Sequence, residues 1–325
     1  MEKKTKYVLI TEGTAYFPEL LQPFERAGLY SWMKAFDGEV RMWGDIKRRK
    51  HELTEYDIIH VNSYGQDIGL AAAIAEYIKD SDTKLVVNMD IAVDYFDKDM
   101  HLRDFVKDLH AADILFAVEP TQVNLINYIN FITKRKKPGH CVLMPHPVNI
   151  DVLMNEAFIP YDKRYNIVAC QYHKYDAHYE IPRMLMLDLP EGYLSSMLGY
   201  IGNLNNDDMT HLVMPYQDWN RYIYFLARCK IGLEYRTHKA ASRFVMESAA
   251  LGIPVVTTKD SHMGQLIFPE ICHDVSDYYG MRQSLERLIT DEQFRLQLAR
   301  LGLERLEPYN YKNSRKRMEE LINEM

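Results

Sequence analysis

The stretch Lys230–Thr258, KIGLEYRTHKAASRFVMESAALGIPVVTT, holds the residues whose types and spacing most suggest chemistry. Ile231, Leu233 and Tyr235 alternate with Gly232 and Glu234, as a short strand does. Thr237 to Ala241 breaks that pattern. From Ser242 onward Phe244, Val245, Ala249 and Leu251 recur at the three-to-four spacing of a helix with one buried face. Gly252 ends the helix, and Pro254-Val255-Val256-Thr257 resumes extended chain, which makes a right-handed crossover unit of the kind that builds parallel sheets. The loop after the strand and the helix's first turn present free backbone N–H groups, a seat for a phosphate. Inside the helix, Glu247 lies among Met246, Ala249 and Ala250. It either reaches solvent or binds a polar ligand.

The elements needed to hold such a unit recur along the chain. Tyr7–Ile10, Glu39–Trp43, Asp57–Val61, Leu85–Asn88, Ile114–Val118 and Val142–Pro145 read as strands, separated by helices over about Pro18–Ala27, Leu70–Ile78 and Leu102–Ala111. Pro147 to Arg164 loses this pattern and reads as a linker. Ile167–Gln171, Met197–Ile201 and His211–Met214 then read as strands, with helices from about Tyr179 and over Asp218–Cys229. After the central stretch come a strand at Ile271–Val275 and helices over 277–289, 291–306 and 310–324, with Asp291 and Asn310 as N-caps. Strands alternating with helices imply doubly wound α/β domains whose ligand crevice lies at the carboxyl ends of the strands.

The 325 residues exceed what one core usually holds. The division expected is 1–155, 156–308 and a C-terminal helix, 309–325, that packs back on the first domain. No run approaches the roughly 18 apolar residues of a membrane span. MEKKTKYVLI turns charged residues directly into a strand rather than a secretory signal, so a cytoplasmic location is expected. The four cysteines have no C-x-x-C spacing and read as buried thiols, not as a zinc site or disulfides. A net charge of −7 argues against bulk nucleic-acid affinity. Two basic clusters, Lys47–His51 and Lys134–Lys137, are either solvated faces or a peripheral contact with an anionic membrane or polyanion. Asp97-Lys98-Asp99 spells D-x-D but sits in a polar run and reads as solvated charge, so no metal is expected.

Ala227-Arg228-Cys229-Lys230-Ile231-Gly232-Leu233 followed by Phe244 to Val256, FVMESAALGIPVV, resembles the nucleotide-sugar-dependent glycosyltransferases of the GT-B fold. The likeness is to the large retaining family with a Glu-x7-Glu motif. Tyr56–Val61, Met144–Asn149 and Leu285–Tyr309 agree more loosely. The resemblance implies two Rossmann-like doubly wound domains facing a central cleft, with the acceptor on the first domain and the donor on the second. It implies a glycosyltransferase that moves a sugar from a UDP- or GDP-sugar, with retention, to an unidentified acceptor (glycan, lipid-linked or other), without a tightly bound cofactor. A catalytically silent sugar-binding or scaffolding protein and a nucleotide-sugar epimerase are the alternatives.

Carried over by residue, the resemblance makes Glu247 the carboxylate that accepts the ribose hydroxyls, a task suited to an ionised acceptor of two O–H bonds. The motif's first Glu falls on Lys239, a reversal of charge where the family contacts the donor sugar. Lys239 thus alters sugar contacts, moves onto the diphosphate or removes activity. Arg236, Lys239 and Arg243 are the cations expected at the diphosphate, with Ser242 capping the helix and donating its hydroxyl. Lys174 is a further phosphate ligand, Tyr216 a base-stacking or base-contacting residue, and Gly13 a point of close approach to the phosphates. Asp90 is either a base, if the enzyme inverts, or an end-of-strand carboxylate.

Overall fold

A computed structural model describes residues 5–12, 29–89, 102–133, 140–172, 180–190, 192–199, 211–214 and 219–325. Two compact units emerge. The described residues through Pro147 join Tyr311–Met325 in the first, and Val148–Asn310 form the second.

The first unit is a six-stranded parallel sheet built from β1 (Tyr7–Thr11), β2 (Glu39–Met42), β3 (Ile58–Asn62), β4 (Lys84–Met89), β5 (Ile114–Ala117) and β6 (His140–Leu143), in the order β2-β1-β3-β4-β5-β6. Alternate residues feed opposite cores. Val8, Ile10, Ile59 and Val61 pack toward the helices Leu70–Ile78 and Leu102–Ala111. Tyr7, Leu9, Ile58 and Val86 pack with Trp32, Phe36 and Met318. Met318 belongs to the last helix, Tyr311–Asn323, which is fastened further by Thr5 Oγ1 to Glu319 Oε1 at 3.0 Å. Both faces are covered, as all-parallel sheets require.

The second unit contains β7 (Ile167–Tyr172), β8 (Leu194–Gly199), β9 (His211–Met214), β10 (Ile231–Glu234), β11 (Val255–Thr258) and β12 (Cys272–His273), again all parallel, in the order β12-β11-β10-β7-β8-β9. From β7 the chain winds outward through β8 and β9, then returns to place β10 on β7's other side. This is the dinucleotide-fold order, and its switch point lies between β7 and β10. In the first unit the corresponding reversal lies between β1 and β3.

Several expectations need correction. The supposed linker is part of the second unit: Ile150, Leu153 and Ala157 are buried, and Arg164 donates to the carbonyls of Ile159 and Leu251 at 2.8 and 2.7 Å. A helix not foreseen, Pro120–Ile132, starts at Glu119, whose buried carboxylate accepts from Thr121 N and Gln122 N at 2.8 and 3.0 Å. Proline at its first position needs no hydrogen-bond partner there. Another, Leu29–Ala35, was also not foreseen, while the helix expected over Pro18–Ala27 lies outside the described residues. Asp291 does cap its helix, accepting from Phe294 N at 2.9 Å.

Candidate functional site

At the carboxyl end of β10 the expected strand, loop and helix are present, the helix spanning Arg243–Ala250. All four residues of β10 are buried, because helices cover the sheet on both sides. Glu234 is 1% exposed and anchors the following loop through both carboxylate oxygens. Arg236 Nε donates to Oε1 at 2.8 Å. Ser242 Oγ and Thr257 Oγ1 donate to Oε2 at 2.6 and 3.4 Å. Arg236 also donates from Nη1 to His238 Nε2 at 3.1 Å, which places that ring's own proton on Nδ1 when the ring is neutral.

The loop is pinned a second time, by main chain. Ala240 N donates to Asp260 O at 3.0 Å, and His262 N and Met263 N donate to the carbonyls of Ala240 and Ala241 at 2.8 and 3.0 Å. Thr258 Oγ1 accepts from Arg236 N and donates to Arg236 O. Held at both ends, the chain enters the helix through Ser242 at φ 67° and ψ 96°, a conformation that costs a non-glycine residue about 1–3 kcal/mol and clusters at functional sites. The Ser242 hydroxyl accepts from Val245 N at 3.3 Å, as an N-cap does. The amides of Arg243 and Phe244, in the helix's first turn, have no intrahelical acceptor by construction, the general arrangement that favours anions at helix N-termini.

The expected site residues therefore divide. Arg236 is buried and ion-paired to Glu234, with side chains 7% and 2% exposed, so its charge is largely offset inside the loop. Lys239 is exposed and pairs with Asp260 at 2.9 Å, on the wall of an open cleft of about 730 Å³ lined also by Lys259, Gln265 and Asp274. Arg243 is half-buried at the head of the helix. Glu247 is 2% exposed within that helix, with the Tyr222 hydroxyl 3.5 Å from Oε2. Gly13, Asp90, Lys174 and Tyr216 lie outside the described residues, as do Asp97–Asp99 and Lys134–Lys137. In the other basic cluster, Lys50 lies 3.9 Å from the Tyr77 ring centroid and Arg49 pairs with Glu52 at 3.1 Å. Among the described residues no three His, Cys, Asp or Glu converge as a metal site, and no helix is long and apolar enough to cross a membrane.

Glu234, His238, Thr257 and Thr258 were missed. The available signal was the spacing of Arg236, His238 and Ser242 after a strand glutamate. Gln171 of β7, Glu234 of β10 and Thr257 of β11 are register partners, forming a polar row across the sheet.

The first unit has a matching lock at its own switch point. Asp67, after β3, accepts from Thr11 Oγ1 at 3.0 and 2.9 Å and from Glu12 N at 2.6 Å, tying the loop after β1 to the loop after β3. Burial raises its pKa above the usual carboxylate range, opposed by these hydrogen bonds.

Two all-parallel six-stranded sheets, each flanked by helices and each with its strand order reversing once, make this a GT-B-fold protein. Solved structures match along nearly the whole chain. Anabaena HepE in complex with UDP and glucose has a TM-score of 0.68 at 11% identity, covering 99% of this chain and 100% of its own. An α-glucosyltransferase in complex with UDP-glucose and DNA containing an abasic site gives 0.69 at 11%, covering 98% and 99%. Sucrose-phosphate synthase from Thermosynechococcus elongatus gives 0.64 at 12%, covering 98% of each. No family model and no curated protein sequence matches the chain.

Proposed function

We propose that the protein transfers a sugar from a nucleotide-diphosphate donor to a hydroxyl acceptor. The observation that carries this reading is the loop Arg236–Ser242, fastened by Glu234 so that a strained serine cap opens a helix with Glu247 buried inside it, beside the switch point of a dinucleotide-fold sheet. Uracil is the base favoured, because UDP is bound by HepE and by the α-glucosyltransferase.

In this reading the donor diphosphate sits at the first turn of Arg243–Ala250, where the backbone amides, the helix dipole and the Arg243 guanidinium offset its charge. Glu247 accepts the ribose hydroxyls. Lys239, in the position of the Glu-x7-Glu motif's first acid, donates to the diphosphate or to the sugar after exchanging its ion pair with Asp260. Transfer breaks the bond between the sugar's C1 and the diphosphate oxygen and forms the bond from C1 to the acceptor oxygen. In the retaining route both occur on one face, and the acceptor proton passes to a phosphate oxygen. The protein's contribution is positioning and stabilisation of the departing diphosphate.

A thermal-shift panel of UDP- and GDP-sugars, followed by product analysis with the stabilising donor, tests the proposal. Stabilisation by one donor, with loss of turnover in Glu247→Ala, is expected. Full turnover in Glu247→Ala contradicts the site assignment.

A further inference from the structure

Glu234 spends both oxygens on the loop it precedes. One neutralises Arg236 Nε at 2.8 Å, and the other accepts Ser242 Oγ at 2.6 Å. Ser242 is the residue at φ 67°, where an L side chain is disfavoured, and its hydroxyl also accepts from Val245 N. The hydroxyl is thus oriented completely: its proton goes to Glu234 and its lone pair to the helix. A charge-assisted hydrogen bond this short is among the strong ones. The residue itself lies at 3% exposure, so water does not substitute for the carboxylate. No other described hydrogen bond of the Ser242 side chain opposes its relaxation to an ordinary backbone conformation.

We infer that Glu234 is the positioning residue of the anion corner: by holding the Ser242 hydroxyl it keeps the loop in its positive-φ entry and aims the first-turn amides of Arg243–Ala250 at the ligand. It does so without touching the ligand. The inference rests on the nucleotide-sugar reading for the identity of the anion, but not for the lock itself.

The test is a double-mutant cycle on the full chain. Glu234→Asp keeps the charge beside Arg236 and shortens the arm by one methylene, so that Ser242 is released. Ser242→Gly removes the hydroxyl and makes positive φ cost-free, and glycine is a tolerated N-cap. Affinity for UDP is measured by calorimetry, and exchange of the Val245 amide by hydrogen–deuterium exchange. Glu234→Asp is expected to weaken UDP binding about tenfold and to speed Val245 exchange about tenfold in the wild-type background. Introduced into Ser242→Gly, it is expected to change either by no more than about twofold. Equal losses in both backgrounds overturn the inference, because Glu234 then acts through the fold at large. If Glu234→Asp does not fold, Ser242→Ala, which removes the hydroxyl and keeps the cost of positive φ, replaces it: about tenfold faster Val245 exchange and about tenfold weaker UDP binding than in Ser242→Gly are expected, and equal values in the two variants overturn the inference. If wild type binds no UDP, the functional reading fails, while the exchange arm still decides whether the lock exists.

Discussion

Replacing Arg236 by alanine leaves Glu234 as a carboxylate at 1% exposure with only two hydroxyl donors, those of Ser242 and Thr257. The ion pair it removes is enclosed, with the two side chains 7% and 2% exposed, so solvent screening does little to soften the loss. Breaking a buried pair from one side costs about 3–5 kcal/mol, mostly the price of the charge left behind. For a unit of this size about 1 kcal/mol moves the melting temperature by roughly 2–4 °C, which gives a fall of roughly 6–20 °C. Differential scanning calorimetry of the full chain reads this as a shift of the second unit's transition. Arg236→Ala/Glu234→Gln removes both charges and should recover at least half of the fall. A single variant melting within about 2 °C of wild type, or a double variant no better than the single, refutes the claim that Glu234 is buried and held by Arg236.

Three further outcomes follow from other parts of the molecule. Asp67→Ala should cost about 1–3 kcal/mol by removing the hydrogen bonds that the Thr11 hydroxyl and the Glu12 amide give its carboxylate, read in urea melts. Burial holds the pKa of His60 down to about 3, helped by the nearby His146, while Tyr7 Oη lies 2.6 Å from His60 Nδ1. The unfolded chain therefore binds a proton that the folded chain refuses between pH 6.5 and 3. Stability is intact above pH 6.5 and falls by about 3 kcal/mol on reaching pH 4.5; His60→Gln should flatten that acid slope. Gly232→Val should cost about 1–3 kcal/mol or more through overpacking, since a Cβ there would lie 2.8 Å from Val255 Cγ2 and 3.3 Å from the Phe244 ring. A melting temperature equal to wild type would contradict that close approach of helix to strand.

Most strands were legible in the sequence because each is a short apolar run bounded by polar turns, and the helices Leu70–Ile78 and Leu102–Ala111 because their periodicity is clean. The helix Pro120–Ile132 was not, since Asn124, Asn127 and Asn130 dilute its apolar stripe and its start depends on a buried glutamate cap. The linker reading of 147–164 failed for a related reason. Ile150, Leu153 and Ala157 are buried at the three-to-four spacing of a helix, but the run is only about two turns long and lies between Pro147 and Pro160, so it does not stand out as an element.

At the site, local order was readable and burial was not. Ser242 as cap and Glu247 inside the helix follow from spacing alone. Arg236 reads from the sequence as a cation beside the diphosphate; its pairing with Glu234, which a sheet covered on both faces puts in the core, does not.

The most direct test of the central claim is calorimetric titration of UDP and GDP into wild type and Glu247→Ala. The account predicts saturable binding of UDP by wild type and at least tenfold weaker binding by the variant, about 1.4 kcal/mol. No heat from either nucleotide, or identical isotherms for the two proteins, would contradict it.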